Sequence, residues 1–181
     1  MENIVIYFLL TIILVCIILI IYTIMYNHFQ EYIIRINEVE AEIDNTLRSK
    51  FDLINKYISL VKKDDANENE KELFDSFIKL RHLKLSNFDL DRKLIEINHK
   101  LLEISPQEED IEEGKKIQKS IASKDNSLEA LKTYYNNNIS KYNKLVRIFP
   151  TNIVSGICHY KERLYFDRKN MNDEDYEDFK L

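Results

Sequence analysis

An uncharged apolar run near the start of the chain, IVIYFLLTIILVCIILIIYTIM at residues 4–25, constrains the fold more than any other feature. A helix of about 20 apolar residues crosses the roughly 30 Å hydrocarbon core of a bilayer. Tyr22 and Tyr26 fall at the end of the run, where interfacial aromatic residues are enriched. The run therefore predicts a transmembrane anchor within residues 1–26, with the lipid bilayer as a partner.

A cleaved signal peptide is the alternative to a retained anchor. We expect the anchor because no Lys or Arg precedes the run, the run is long, and no small-residue cleavage site follows it. Before the run only the α-amino group and Glu2 carry charge, whereas Arg35, Arg48 and Lys50 follow it. The positive-inside rule then places the N-terminus outside and the rest of this single-pass cell-membrane protein in the cytoplasm.

Helical periodicity continues after the anchor. Two glycines and two prolines in 181 residues favour long helices over turns and sheets. From Phe29 to Val61 the apolar residues recur in steps of three and four, so the membrane helix is predicted to continue as the first soluble helix. That helix is expected to end near KKDDANENE, residues 62–70, which carries no apolar stripe.

Two further long helices follow from the same spacing. The second covers the apolar residues from 73 to 104. Its apolar spacing is interrupted once, at Ser86 and Asn87, where either a kink or a break is expected. The third carries the pattern from 117 to 149 and stops at the proline that follows. Residues 151–160 are expected to form a short amphipathic turn on the bundle end. The side chains expected to face inward there are Ile153, Ile157 and Tyr160.

Short links between long helices make neighbouring helices antiparallel. The sequence therefore predicts an all-α fold: a single N-terminal transmembrane helix followed by an elongated antiparallel up-and-down helical bundle of three long helices plus a short C-terminal helix. The bundle occupies residues 27–167, and the acidic tail at 168–181 is predicted to be disordered. Acidic residues outnumber basic ones by 31 to 26, which gives no electrostatic footprint for nucleic acid.

Sequence patterns that carry chemistry are missing. Gly114 and Gly156 stand far apart, so there is no glycine-rich phosphate loop, and neither HExxH nor CxxC occurs. The stretch DANENE at 65–70 resembles a calcium loop for three ligand positions, but Glu70 stands where that loop needs glycine. We therefore expect no enzyme, no cofactor and no metal site.

Cys158 and His159 are the one tempting nucleophile or metal pair. Adjacent residues on a helix point roughly 100° apart, so the two side chains do not converge unaided. A partly buried thiol beside a satisfied histidine is the favoured interpretation. Cys16 lies in the middle of the apolar run, which leaves Cys158 without an intramolecular partner and suits a reducing compartment.

A seven-residue spacing marks the third helix, at Ile121, Leu128, Tyr135, Tyr142 and Phe149. Such a spacing is typical of a packed seam, and homo-oligomerisation through it is one alternative. Two polar residues, Lys124 and Asn138, fall on the alternate core-side positions. We favour their lying at the edge of the seam and pointing outward over a role in fixing the register of packing.

Two blocks of the sequence resemble the LemA family of bacterial membrane proteins. The first is IDNTLRSKFDLINKYISLV at residues 43–61, and the second is YYNNNISKYNKLVRIFPTNIVSGICHYKERLYFD at 134–167. In the second block two Tyr-Asn pairs precede a Phe-Pro-x-Asn series, and His159 stands where the family usually has glycine. The matching candidate signature residues are Asp44, Asp52, Tyr135, Asn136, Tyr142, Asn143, Phe149, Pro150, Asn152, Gly156, Tyr165 and Phe166.

The resemblance implies a helical bundle on one transmembrane helix, an external N-terminus and a cytoplasmic domain. It implies no established enzymatic activity and a general association with the bacterial envelope. Asn152 is expected to cap the helix after the proline, and Phe149 with the tyrosines to pin that helix to the bundle end. Whether the signature residues hold the C-terminal turn or form a docking surface is left open.

Three functions follow as hypotheses. The leading one is a membrane-anchored, non-catalytic interaction or scaffold protein of the bacterial envelope, with a protein partner in the membrane or cytoplasm. The first alternative is an adaptor or regulator of a membrane protease or signalling system, which would contact its partner through the turn at 62–70 or the acidic tail. The second alternative is a homo-oligomeric structural assembly on the membrane.

Overall fold

The computed structural model describes residues 2–61, 68–81, 83–104 and 112–167. This part of the chain forms five helices: α1 (Glu2–Val61), α2 (Glu68–Leu80), α3 (Asn87–Ile104), α4 (Glu112–Arg147) and α5 (Thr151–Ile157). No strand occurs in the described residues, and the all-α class is confirmed. The predicted acidic tail lies outside them.

α1 continues from the apolar run into the rest of the helix without a break and ends at Val61, as predicted. All side chains from 3 to 21 are exposed. Within the run, Thr11 Oγ1 donates to the carbonyl oxygen of Tyr7 at 2.9 Å, so this polar group is satisfied inside the helix. Among the described helices, α1 is the one that is long and apolar enough to cross a membrane.

The predicted second helix is two helices, which corrects the expected count of three long ones. α2 ends at Leu80 and α3 begins at Asn87, so the interruption of the apolar spacing at Ser86 and Asn87 corresponds to a break between two helices. The Ser86 hydroxyl accepts a hydrogen bond from the Asp89 amide at 3.2 Å and donates to Asp89 Oδ2 at 2.6 Å. A serine whose hydroxyl accepts a hydrogen bond from the amide three residues ahead is a helix N-cap. Ser86 therefore fixes the start of α3.

The turn expected at 62–70 is shorter than predicted on its C-terminal side. Residues 68–70 belong to α2, whereas 62–67 lie outside the described residues. The calcium-like stretch is therefore divided between a helix and a part of the chain that the structure does not describe. An intact calcium loop needs its ligands on one continuous turn, which a helix beginning at Glu68 does not supply.

The seven-residue seam of α4 is shorter than the sequence indicated. Its buried members are Ile121, Leu128 and Tyr142. α4 ends at Arg147, so Phe149 lies beyond the helix. Asn138 is buried, and the outward position predicted for it is wrong, while Lys124 is half-buried.

The chain divides into two compact units. Unit 1 contains α1 up to Glu38 together with the chain from Tyr135 onward, and unit 2 contains the residues between. The buried core of unit 1 consists of Phe29, Ile36, Ile139, Tyr142 and Val154. In unit 2 the remaining segments of α1 to α4 pack together, and the rings of Phe51 on α1 and Phe77 on α2 stack at 4.4 Å.

A lysine lies in the interior of unit 2. Among the most buried positions of α1, five recur every seven residues, each 0–1% exposed: Phe29, Ile36, Ile43, Lys50 and Tyr57. Lys50 Nζ is 2.5 Å from Asp125 Oδ1 on α4 and 3.7 Å from Asp91 Oδ1 on α3. Asp91 also pairs with Lys132. Two carboxylates thus balance two ammonium groups in a place where an uncompensated charge is strongly destabilising.

We predict that Lys50→Met lowers the free energy of unfolding by roughly 3–5 kcal/mol, because two carboxylates lose a buried counter-charge. Lys56→Met is the matched control, since Lys56 is exposed on the same helix, and we expect a change within about 0.5 kcal/mol. Chemical denaturation of the full chain in detergent, followed by circular dichroism, measures both. Equal stability of the two variants would contradict the assigned role of Lys50.

Candidate functional site

Several signature residues come together where α4 holds residues 158–167, here called the C-terminal segment, which has turns at both ends and no regular secondary structure between them. The start of the segment lies against α1, because Gln30 Nε2 donates to Tyr160 Oη at 2.7 Å. The rings of Phe29 and Tyr160 are 5.1 Å apart. Burial, and then the neighbouring Cys158, raises the pKa of Tyr160 to about 12.

Two asparagines of α4 hold the backbone of the C-terminal segment. Asn143 Nδ2 donates to the Arg163 carbonyl oxygen at 2.8 Å, and the Arg163 amide donates back to Asn143 Oδ1 at 2.9 Å. Two helical turns earlier on α4, Asn136 Oδ1 accepts a hydrogen bond from the Phe166 amide at 2.9 Å. Asn136 and Asn143 lie seven residues apart, about 10.5 Å along α4. They bind the segment at Phe166 and at Arg163.

Side chains of the segment cover the tyrosines that precede these asparagines. The Arg163 guanidinium carbon lies 5.6 Å from the centre of the Tyr142 ring, and Arg163 Nη1 donates to Asn37 Oδ1 at 3.0 Å. The rings of Tyr135 and Phe166 meet edge to face at 6.3 Å. Burial raises the pKa of Tyr142, and Arg163 partly opposes that rise. Each Tyr-Asn pair thus supplies one packing surface and one amide to the segment.

A tight turn at the end of α5 leads into the C-terminal segment. The Tyr160 amide donates to the Ser155 carbonyl oxygen at 2.9 Å, and the His159 amide donates to the Gly156 carbonyl oxygen at 3.4 Å. This pair of bonds is a Schellman motif, whose central residue is usually glycine. His159 occupies that place with a φ of 55°, which accounts for the family's usual glycine here.

Cys158 and His159 lie in different surroundings. The Cys158 sulfur lies 3.6 Å from Tyr22 Oη at the end of the apolar run, and the thiol is half-buried. Both Cys16 and Cys158 are free. His159 is exposed, so the expectation of a partly buried thiol is confirmed while its satisfied histidine neighbour is not found.

The start of α5 differs from the sequence-based expectation. α5 has no side-chain N-cap, so the predicted capping by Asn152 is wrong. The Thr151 hydroxyl contacts the backbone instead, at 2.6 Å from the Leu145 carbonyl oxygen and 2.8 Å from that of Ile148. The threonine hydroxyl thus supplies a donor to carbonyls at the end of α4, whereas no side chain caps the amides at the start of α5.

The face of α5 that is buried also differs from the prediction. Val154 and Ser155 are buried, and the Ser155 hydroxyl donates to the Asn152 carbonyl oxygen at 2.9 Å. The expected inward residues Ile153 and Ile157 are exposed. The signature residues exposed on and before α5 are Phe149, Pro150, Asn152 and Gly156. Phe149 therefore does not pin α5 to a bundle end.

The remaining signature residues occupy different places. Tyr165 belongs to the partly buried shell around the core of unit 1. Asp44 and Asp52 are both on α1 in unit 2, where Arg48 Nε lies 2.8 Å from Asp44 Oδ2 and Asp52 is exposed. In the described part of the chain, no group of three or more His, Cys, Asp or Glu side chains is placed to hold a metal ion.

Sequence reasoning missed the charged residues that fasten the C-terminal segment. Arg163 was not singled out, although it contributes both backbone groups and its guanidinium. Arg147 Nε and Nη2 each lie 2.6 Å from a carboxylate oxygen of Glu162, which holds the pKa of Glu162 below its usual range. A charged residue is by default predicted to be solvated. The one sequence signal for Arg147, Glu162 and Arg163 was their position within the second block that resembles the family.

These features define a class of protein: an all-helical chain with an exposed apolar N-terminal helix and a C-terminal segment held by asparagine amides. The model of the LemA family matches residues 39–177. Because this match covers most of the chain, the protein belongs to the LemA family, and the resemblance read from the two sequence blocks is confirmed. A search of curated proteins gives no match.

We predict that Asn143→Ala lowers the free energy of unfolding by about 2 kcal/mol, because two partly buried hydrogen bonds are lost and both backbone groups of Arg163 stay unpaired. Asn137→Ala is the control, since Asn137 is exposed on the same helix and gains the same helix propensity. Hydrogen exchange of residues 160–167 should accelerate in Asn143→Ala and stay unchanged in Asn137→Ala. Unchanged exchange in both variants would show that the amide does not hold the segment.

We further predict that His159→Gly raises the free energy of unfolding by about 1 kcal/mol, because it relieves a left-handed backbone conformation. His99→Gly is the control, and its expected change has the opposite sign. His99 is exposed inside α3, where glycine should lower the free energy of unfolding by a few tenths of a kcal/mol. Denaturation of the two full-length variants in the same detergent measures both changes. A loss of stability in His159→Gly would contradict the turn geometry.

Proposed function

We propose that this LemA-family protein is a single-pass membrane protein whose helical domain serves as a non-catalytic interaction or scaffold module of the bacterial envelope. One observation carries the proposal. The apolar run of α1 is exposed from residue 4 to residue 21, and the same helix continues without interruption into packed cores. A partner bound by the domain would therefore be held at the membrane by one continuous helix.

The energetics of the run support a membrane anchor. Burying one large aliphatic side chain is worth about 1.5–3 kcal/mol, so a helix that exposes an entire apolar run to water is strongly disfavoured. Exposed apolar surfaces of this extent occur at membrane or protein interfaces. The basic residues that follow the run, among them Arg35 and Arg48, support an external N-terminus and a cytoplasmic domain.

Contacts within unit 2 support an up-and-down arrangement of neighbouring helices. Asp91 near the start of α3 pairs with Lys132 of α4, while Asn98, further along α3, receives a hydrogen bond from Gln118 at 3.4 Å. Increasing residue number on α3 thus corresponds to decreasing number on α4. This order favours the antiparallel packing that short connections impose.

A non-catalytic role is supported by what the signature residues do. The amides of Asn136 and Asn143 are engaged with the backbone of the chain itself, and Tyr142 packs under Arg163. Groups committed to internal hydrogen bonds are poor candidates for acid–base or nucleophilic chemistry on a substrate. Their arrangement favours a rigid display of the surrounding surface.

A homo-oligomer is the weaker alternative. The seam residues Ile121, Leu128 and Tyr142 are buried within the chain's own units, so they are not available to join copies. Exposed large apolar side chains of unit 2 include Ile78 on α2 and Ile95 on α3. Exposed aliphatic residues on a packed domain favour a protein contact there. An adaptor role for a membrane protease or signalling system is a special case of this interaction function.

Site-specific photo-crosslinking in intact cells tests the proposal. We predict that a photoreactive residue at Ile78 or Ile95 of the full chain captures one recurring foreign protein from the native membranes. The same residue at Asn126, an exposed polar position on α4, should capture little. Capture of only a second copy of the chain would favour the homo-oligomeric assembly, and equal weak labelling at all three positions would contradict an interaction surface on unit 2.

A further inference from the structure

An exposed apolar face lies on α5 and the residue that precedes it. Ile153 and Ile157 are four residues apart on α5 and therefore share one side, and Phe149 lies two residues before the helix. Phe149, Ile153 and Ile157 are 74%, 54% and 61% exposed. Ile148 beside them is exposed as well. The opposite side of α5 is fixed, because Val154 is buried in the core of unit 1. α5 thus turns an apolar face away from the protein.

The exposed face is placed at the end of the apolar run of α1. Cys158 directly follows α5, and its sulfur is 3.6 Å from Tyr22 Oη. Val154 packs in the same cluster as Phe29, with Tyr22 and Met25 in the shell around it. Tyr22 is where the run reaches the level of an interfacial aromatic belt. The exposed side of α5 is therefore at the depth where a membrane-spanning α1 would leave the hydrocarbon core.

Basic side chains flank this face. Lys144 and Arg147 form the basic last turn of α4, just ahead of Phe149, and Lys161 follows α5. Arg147 is paired with Glu162, whereas Lys144 and Lys161 are exposed. Lysines close to a membrane surface are attracted to anionic headgroups. An apolar face with a basic border is the pattern of a helix that lies in the interface between headgroups and acyl chains.

We propose that α5 is an interfacial membrane helix: Phe149, Ile153 and Ile157 insert into the surface of the same bilayer that α1 crosses. This inference rests on the proposed membrane anchor. The occupant is lipid, because the face adjoins the lipid-facing run through Tyr22 and is bordered by lysines. A helix lying in the interface inserts about 5–10 Å, which large side chains on one face can reach. Unit 1 would then have two membrane contacts, one spanning and one at the surface.

Tryptophan fluorescence tests this proposal cleanly, because the chain contains no tryptophan. The full chain carrying Phe149→Trp is reconstituted into vesicles of phosphatidylcholine and phosphatidylglycerol, with bromine on the acyl chains near the headgroup or near the bilayer centre. We expect Phe149→Trp to lose most of its emission with the shallow bromine and less with the deep bromine. Adding Ile153→Glu to this variant should restore much of the emission, since a charged residue opposes insertion of the face.

Two further single-tryptophan variants separate the failure of the inference from failure of the anchor. Leu14→Trp lies within the run and should be quenched most by the deep bromine. Ile34→Trp replaces an exposed aliphatic residue of α1 about 18 Å along the helix from Tyr22, and it should not be quenched. Quenching of Leu14→Trp without quenching of Phe149→Trp overturns the interfacial role of α5 and leaves the anchor intact.

The remaining outcomes are equally decisive. Absence of quenching in both Leu14→Trp and Phe149→Trp overturns the anchor and with it the inference. Blue-shifted emission of Phe149→Trp that bromine does not quench would mean that protein, such as a second copy of the chain, covers the face, and it overturns the lipid assignment. Equal quenching of Phe149→Trp and Ile34→Trp would mean that the helix lies along the membrane, which also contradicts the proposed geometry.

Discussion

The hydrogen bonds between asparagine amides of α4 and the backbone of the C-terminal segment are the constraint on which the rest of unit 1 depends. An extended chain outside a sheet must still satisfy its amides and carbonyls. An asparagine side chain presents the same donor and acceptor as a peptide group, and Asn143 uses both on Arg163. With this segment fixed, Tyr160 is held against α1, and the turn that ends α5 is held with it. The seven-residue spacing of the Tyr-Asn pairs thus places one amide at Arg163 and the other at Phe166.

Helix positions were largely predictable because amphipathic periodicity is encoded locally. The continuity of α1, its end at Val61 and the short helix after the proline all followed from spacing and from residues that stop helices. The break between α2 and α3 was visible only as an interruption of the apolar spacing at Ser86, since a cap and a kink leave similar traces in a sequence. The arrangement of α1 and the other helices depends on contacts far apart in sequence, which periodicity does not specify.

The orientation of short elements was the least predictable feature. A seven-residue helix has two faces that can each be called apolar, and which face is buried depends on what lies beside it. In α5, Val154 is buried and Ile153 is exposed, the reverse of the expectation. The residues that cover one face of α5 are distant in the sequence, so the local pattern does not identify that face. Lys50 was missed for a related reason. Charge argues for a solvated position, yet its place seven residues after Ile43 marked it as part of the buried seam.

The signature tyrosines and asparagines therefore belong to one connected set of contacts within unit 1. α1 leaves its apolar run at Tyr22, which touches Cys158, and from there the C-terminal segment returns along α1 and α4. Because the segment is bonded to α4 at Arg163 and again at Phe166, a movement of the segment relative to α4 breaks partly buried hydrogen bonds. α5 is joined to this segment by the turn at Cys158 and His159, so α4, α5 and the segment are held together within unit 1. These contacts give a physical reason for a hydrogen-bonding amide beside a large aromatic ring at Tyr135–Asn136 and at Tyr142–Asn143.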